Sequence, residues 1–266
     1  MPQYGNITDP SRPILKEIDR IIKLGFDFIE ISVEGPEGTP DYLLPVKNEI
    51  IGRIRSQGLF ATGHIAWWAE LASLYQGVRK AWLVETKKAI DTARVLQLQK
   101  VNVHSHVRGL YMQHQSARQQ TIDQMIESLG NLLDYAEGQG VELMLENSAS
   151  RRDIAKFEDF NRVVQALPNL GVHVDIAHAY LHGRLGHIDQ YLRSFKNRLS
   201  HIHISDNFGK DDDHLPIGQG KINFERVVKT LKRIKYDGTI TFEIFQKKKE
   251  GIPRSLTTFK RLWNRM

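Results

Sequence analysis

The chain contains no cysteine among its 266 residues, which excludes disulfide bonds and thiolate metal ligands. It also has no run of about 18 apolar residues and no apolar segment near its first residue, so we predict neither a membrane span nor a signal peptide. No low-complexity stretch or linker interrupts it. These absences favour a soluble, cytoplasmic protein in which any metal ion is held by histidine and carboxylate side chains.

The composition is that of an ordinary globular protein, with 41% hydrophobic and 26% charged residues. A formal charge of +6 and a pI near 9.4 suit an anionic substrate such as a sugar phosphate or a nucleic acid. The length fits one α/β barrel of about 250 residues. We therefore expect one domain over residues 1–266.

Short apolar runs alternate with longer amphipathic stretches along the whole chain. The runs predict strands at 3–7, 26–33, 59–64, 101–104, 141–146, 171–175, 199–204 and 239–244. Helices are predicted at 11–24, 41–57, 76–97, 115–138, 156–166, 187–196, 222–235 and 255–264. This alternation implies a parallel sheet, and eight units close into a (β/α)8 TIM barrel, an α/β fold.

Six consecutive predicted strands carry a metal-capable side chain at or near their carboxyl ends: His64, His104, Glu146, Asp175, His203 and Glu243. Because these ends share one rim in a barrel, and barrel enzymes place their active sites there, we expect the side chains to surround one cavity. His178 follows Asp175 by three residues, and Asp212 and His214 stand in the loop after the seventh strand. Clustered imidazoles and carboxylates predict a divalent metal site, for zinc or manganese.

Other residues near this rim are candidates for contact with a substrate. Glu30 and Glu34 lie near the end of the second strand, and both are carboxylates that could reach it. Trp67 and Trp68 could stack on a sugar ring or a base, although packing beneath a loop explains them equally well.

Three further features favour structural interpretations. The lysines after the eighth strand lie where barrels often bind phosphate, but a solvated charge run is the better interpretation of Lys247, Lys248 and Lys249. The Gly-Gln-Gly segment at 218–220 predicts a loop turn rather than a dinucleotide site. Four histidines are interpreted as structural or exposed rather than as ligands: His106, His173, His182 and His201.

The segments GFDFIEISVEGP, GHIAWW, VNVH, LMLEN, VDIAH, HIHISDN, DDHLPIGQG and TFEIF together resemble the xylose isomerase-like TIM barrels over nearly the whole chain. That family includes sugar and sugar phosphate isomerases and epimerases, inosose-processing enzymes and abasic-site nucleases of the endonuclease IV type. In the isomerase branch, the resemblance implies one divalent ion held by Glu146, Asp175, His203 and Glu243. In the endonuclease branch, it implies three zinc ions on nine ligands, matched here by His64, His104, Glu146, Asp175, His178, His203, Asp212, His214 and Glu243.

The chain departs from the endonuclease pattern at two places. It has Ile176-Ala177 where that pattern has Thr-Cys, and Ile244-Phe245 where it has Thr-Pro. We therefore favour a metal-dependent isomerase or epimerase of a sugar, sugar phosphate or related polyol that works through a metal-stabilised enediolate. Glu146 and Glu243 would exchange the proton as base and acid, and His178 would orient the substrate.

Two alternatives stay open at this point. One is an abasic-site endonuclease with a trinuclear zinc site and a basic surface that follows the nucleic acid backbone. The other is a non-catalytic, metal-containing binding protein. The residues leave the substrate, the number of metal ions and the oligomeric state undetermined.

Overall fold

The computed structural model describes residues 1–245 and 250–266, and in these residues eight parallel strands close into a barrel in sequence order. The strands are β1 (Gln3–Ile7), β2 (Phe28–Val33), β3 (Phe60–Ile65), β4 (Lys100–His104), β5 (Glu142–Glu146), β6 (Gly171–Asp175), β7 (Leu199–Ile204) and β8 (Thr239–Phe242). The last strand pairs with the first, from Gln3 opposite Thr239 to Asn6 opposite Phe242. The predicted TIM barrel is confirmed.

Helices follow the strands and cover the outside of the barrel. They are α1 (Ile14–Lys23), α2 (Pro40–Leu43), α3 (Lys47–Ser56), α4 (Gln76–Leu96), α5 (Gln115–Gln139), α6 (Phe157–Ala166), α7 (Ile176–Ser194), α8 (Phe224–Arg233) and α9 (Gly251–Arg265). One-turn 3₁₀ helices occur at Leu44–Val46 and Tyr111–Gln113. No helix in the described part of the chain combines the length and hydrophobicity that crossing a membrane requires.

The main difference from the predicted elements is α7, which begins directly after β6, whereas we predicted a helix only at 187–196. The Asp175 side chain caps this helix by accepting the backbone N–H of His178. Gly183 and Arg184 then leave helical geometry and kink it, with φ of 56° at Arg184. The kink interrupts the apolar period, which explains why the pattern concealed the first half of the helix.

The helix predicted at 41–57 is also divided, into α2, a 3₁₀ turn and α3. Pro45 lies in that turn and has no N–H to donate, so an uninterrupted α-helix would lose a hydrogen bond there. Strand β8 ends at Phe242, which leaves Glu243 just beyond the last strand residue.

The inner face of the barrel carries buried polar side chains. On β7, His201 and His203 face inward and approach Glu30 of β2 across the barrel, while Ile202 and Ile204 are buried in the hydrophobic core. Alternation along the strand therefore places imidazoles inside and aliphatic side chains outside. The apolar core lies between the sheet and the helices. The space enclosed by the strands therefore holds polar side chains.

Candidate active site

Four acidic and imidazole side chains meet at the carboxyl end of the barrel. One ligand atom from each of Glu146, Asp175, His203 and Glu243 lies within 4.8 Å of the others, and all four residues are buried. Nδ1 of His203 is 3.1 Å from Oε2 of Glu243 and 3.7 Å from Oε1 of Glu146. Barrel closure brings these residues together, because they stand at or just past the ends of β5, β6, β7 and β8.

Two more histidines extend this cluster on the side of β3 and β4. Nε2 of His104 is 2.9 Å from Oε2 of Glu146, and Nε2 of His64 is 4.0 Å from the same oxygen. The two imidazole centroids are 4.8 Å apart. His64 also forms a compact group with His203 and Glu243, so Glu146 and Glu243 each belong to more than one potential metal site.

The three remaining predicted ligands lie on the opposite side of the cluster. Oδ2 of Asp212 is 2.9 Å from Nε2 of His178 and 3.1 Å from Nε2 of His214. Nδ1 of His178 is 2.8 Å from the carbonyl oxygen of Asn147 and 3.7 Å from Oε1 of Glu146. All nine predicted ligands are thus brought to one rim.

The loop that carries Asp212 and His214 is organised by Asp206. This fully buried carboxylate accepts backbone N–H groups from Gly218, Gly220 and Ile222 at 2.9–3.0 Å. A built Cβ at Gly220 would lie 2.3 Å from Oδ1 of Asp206, so only glycine allows this close approach. The segment at 218–220 is therefore a loop turn, as we predicted.

The cluster fits a divalent cation. Within the described residues, Oε1 of Glu146, Oδ2 of Asp175, Oδ1 of Asp212 and both ring nitrogens of His64 are buried without a hydrogen-bond partner. Leaving such atoms unpaired costs free energy, which a bound cation would offset. Mixed imidazole nitrogen and carboxylate oxygen donors suit zinc or manganese.

Burial and the neighbouring charges shift the pKa values of Glu146 and Asp175 in opposite directions. Burial would raise the pKa of Glu146, but the imidazoles of His104, His173 and His203 outweigh it and hold that pKa well below its usual value. At Asp175, burial wins and raises the pKa to about 7, although His178 opposes it. One carboxylate is therefore kept ionised, while the other readily holds a proton in the absence of a cation.

A cavity of about 670 Å³ opens above the cluster. Residues of the cluster and its surroundings line this cavity: His64, His104, His178, Asp212, His214 and Glu243. Trp67 and Trp68 form part of its wall and are 53% and 37% exposed, so they are not packed beneath a loop. Arg108 and Arg152 also line the cavity and carry positive charge.

Glu30 does not line the cavity, contrary to the contact with substrate that we predicted. It lies fully buried below the cluster, because β2 places it one layer deeper than the rim residues, and it accepts from His201 and His203. Glu34, which is 8% exposed, does line the cavity. Burial raises its pKa to about 7.

The sequence pattern gave too little weight to two histidines under the cluster. His173 and His201 are fully buried, and Nδ1 of His173 is 3.2 Å from Oε2 of Glu146. Each stands two residues before a predicted ligand on the same strand, and residues two apart on a strand face the same way. That spacing is the signal from which the sequence could have identified them as neighbours of the site.

The other two histidines that we interpreted as structural or exposed lie outside the cluster. His106 lines the cavity and has Nδ1 3.3 Å from Oδ1 of Asp153. His182 approaches the carbonyl oxygen of Ser148 at 2.8 Å and takes no part in the cluster. Lys247, Lys248 and Lys249 lie outside the described residues, and their interpretation stays a prediction.

Comparisons with known proteins agree with this arrangement. A family model described as the xylose isomerase-like TIM barrel matches residues 18–262. An uncharacterized protein of Methanocaldococcus jannaschii is 30% identical over 237 residues, which cover 86% of this chain and 78% of that protein. Inosose isomerase of Halalkalibacterium halodurans is 23% identical over 247 residues, covering 88% of this chain and 83% of that enzyme.

Among solved structures, that of a D-tagatose 3-epimerase-like protein superposes with a TM-score of 0.85 and 26% sequence identity. The superposition covers 99% of this chain and 98% of that chain. The similarity therefore extends over the whole barrel, including every strand that contributes to the cluster.

Proposed function

The chain belongs to the xylose isomerase-like TIM barrel family, and on that premise we propose that it is a divalent-metal-dependent isomerase or epimerase of a sugar, sugar phosphate or related polyol. The observation that carries the proposal is the pair of carboxylates, Glu146 and Glu243, which both approach Nδ1 of His203, at 3.7 and 3.1 Å, with Glu243 lining the open cavity. Relatives described as an inosose isomerase and a D-tagatose 3-epimerase-like protein support the same reaction class. We also propose a single domain over residues 1–266.

Glu146, Asp175, His203 and Glu243 would hold the cation, zinc or manganese. When bound, a divalent ion supplies positive charge that stabilises negative charge on substrate oxygens. The remaining chemistry is a proton transfer at a carbon next to a carbonyl group. Removing that proton leaves an enediolate, and returning it to the other face or to the neighbouring carbon gives the epimer or the isomer.

Glu146 and Glu243 suit the two proton-transfer roles, because their carboxylates approach His203 from different strands. The low pKa of Glu146 keeps it ionised and able to accept a proton. Burial would raise the pKa of Glu243, but His203 and His214 outweigh it and lower that pKa as well. We assign no order to the two, since epimerisation in both directions requires each to act as base and as acid.

We assign the orientation of the substrate to His178, because it lines the cavity. The carbonyl oxygen of Asn147 at its Nδ1 and Asp212 at its Nε2 fix the imidazole ring there. Trp67 and Trp68 present apolar surface that a sugar ring could cover.

The nine clustered ligands favour one second candidate, an abasic-site endonuclease with three zinc ions. His64, His104 and Glu146 form a compact group beside the four-residue group, as a multinuclear site would require. The basic composition is also compatible with a nucleic acid backbone.

One experiment separates these candidates. The full chain is stripped of metal, reloaded with manganese, zinc or cobalt, analysed for metal content and incubated in D2O with a panel of ketoses, ketose phosphates and inososes. We expect metal-dependent incorporation of deuterium at carbon, together with an epimer or isomer, detected by nuclear magnetic resonance.

No exchange with any sugar, combined with about three zinc ions per chain and cleavage of abasic duplex DNA, would replace the proposal with the endonuclease. Neither exchange nor cleavage by the metal-loaded chain would indicate a binding protein.

A further inference from the structure

A chain of buried polar contacts lies below the candidate metal site and is not needed to hold substrate. Oε2 of Glu30 is 3.0 Å from Nε2 of His203 and 3.1 Å from Nε2 of His201. On its far side, Nδ1 of His201 is 2.6 Å from the hydroxyl oxygen of Thr239. Glu30, His201 and His203 are all fully buried, so solvent cannot substitute for any of these contacts.

We propose that Glu30 is a positioning residue that holds the Nε2–H of His203 and thereby directs Nδ1 of the same ring to the cation. This inference rests on the metal-binding part of the proposed function. An ionised carboxylate can only accept hydrogen bonds, so each imidazole nitrogen that faces Oε2 of Glu30 must carry a hydrogen. A metal-binding histidine characteristically donates its other N–H to such a partner, which fixes the ring and increases its basicity as a ligand.

The geometry at the opposite nitrogen agrees with this role. Nδ1 of His203 faces Glu243 at 3.1 Å and Glu146 at 3.7 Å. Those carboxylates belong, with Asp175, to the compact four-residue group. Holding Nε2 on the Glu30 side therefore leaves one nitrogen for the cation, on the side where three carboxylates supply negative charge.

His201 acts as a second support for Glu30. It contacts the same carboxylate oxygen as His203 does, and Thr239 anchors its other nitrogen. Within residues 1–245 and 250–266, the ion-pairing partners of Glu30 closer than 4.0 Å are these two imidazoles. Both imidazoles that hold the carboxylate therefore come from β7, the strand that also carries His203.

A lower position for the cation is the alternative. His173, His201 and His203 also offer nitrogens within 4.8 Å of one another. A cation there that took Nε2 of His203 would break its contact with Glu30, and neither Asp175 nor Glu243 belongs to this group of three histidines. We favour the upper position, because the four-residue group itself supplies three carboxylates and the three-histidine group supplies none.

The first test compares Glu30→Gln with Glu17→Gln in the full chain. Glu17 is a matched control, since it is also a buried glutamate but bonds Arg20 on the outside of the barrel. Binding of manganese and of zinc alone is measured by calorimetry on metal-free protein, with thermal unfolding followed in parallel. We expect Glu30→Gln to weaken metal binding about 10–100-fold. Metal binding by Glu17→Gln should be unchanged. Excess metal should restore full occupancy of the site in Glu30→Gln.

Unchanged metal affinity in folded Glu30→Gln would overturn the positioning role while leaving the metal site intact. Absence of metal binding by the wild-type chain would overturn the metal site itself, and the inference with it. The two failures are therefore distinguishable without knowledge of the substrate.

A second measurement uses the wild-type chain and so does not depend on whether the variant folds. Crystals are soaked in zinc chloride, and the ion is located by anomalous scattering. We expect it at Nδ1 of His203, with Nε2 still in contact with Glu30. An ion bound to Nε2, among His173 and His201, would overturn the proposal.

Discussion

Replacing Glu146 with glutamine tests the proposed chemistry most directly, because it removes a charge and a base with little change in shape. In the wild-type structure, Oε2 of Glu146 accepts from the side-chain amide of Asn102 and lies 2.9 Å from Nε2 of His104 and 3.2 Å from Nδ1 of His173. The oxygen of glutamine can still accept from Asn102. The carboxamide cannot accept a proton from substrate and is a poorer ligand for a cation.

The size of the effect follows from these losses. A positioned general base contributes about 10²–10⁴-fold to rate, which corresponds to about 3–5 kcal/mol of activation free energy. Saturating metal offsets the weaker metal site, so we expect turnover by Glu146→Gln to fall by about 10²–10⁴-fold.

The melting temperature should fall as well. The imidazoles lower the pKa of the native Glu146 carboxylate, although burial opposes them. A carboxylate with a lowered pKa in the folded state stabilises the fold at neutral pH, and this contribution is absent from the variant.

The assay is turnover of the sugar identified in the D2O screen, at saturating metal, with circular dichroism as the test of folding. Glu142→Gln is the matched control: it is the same substitution on the same strand, at an exposed position at the opposite end. We expect its turnover to stay within about twofold of wild type, since surface substitutions have small effects. A folded Glu146→Gln variant that retains more than about a tenth of wild-type turnover would refute the assignment of Glu146 as a proton-transfer residue.

Three further predictions concern the site and its scaffold. Burial raises the pKa of Asp175 to about 7, so protons compete with the cation below that pH. Manganese affinity, measured by calorimetry, should therefore fall by up to about tenfold per pH unit as the pH decreases. An affinity independent of pH between about 6 and 8 would contradict this. Gly5→Ala would place its Cβ 2.4 Å from the ring of Phe28. We expect a loss of about 1–3 kcal/mol in the free energy of unfolding, measured by urea titration. A loss below about 0.5 kcal/mol would show that the ring can move aside at little cost. Asp206→Asn leaves at least one backbone N–H of the loop without its acceptor, which costs about 1–3 kcal/mol in the free energy of unfolding. It should also weaken metal binding, because the same loop carries Asp212. Unchanged stability would show that the loop is held in another way.

The amino-acid sequence by itself determined the barrel and most of the candidate metal site. Apolar runs and amphipathic stretches indicate which face of each strand and helix is buried. Eight alternating strands and helices then predict a closed parallel barrel. Strand ends such as Glu146 and Asp175 were then predictable as neighbours, because all carboxyl ends of a parallel barrel share one rim. This inference needs only the order of the strands and not their stagger.

The tertiary structure decided what depends on depth and on contacts across the barrel. Glu30 was expected at the rim, but the stagger of β2 against β7 places it below, in contact with His201 and His203 from a strand that is not a neighbour. The loop charges at Arg108 and Arg152 reach the same cavity only through the path of their loops. Local periodicity records which face of an element is buried, whereas these contacts join residues far apart in the chain and arise only when closure sets the relative height of the strands.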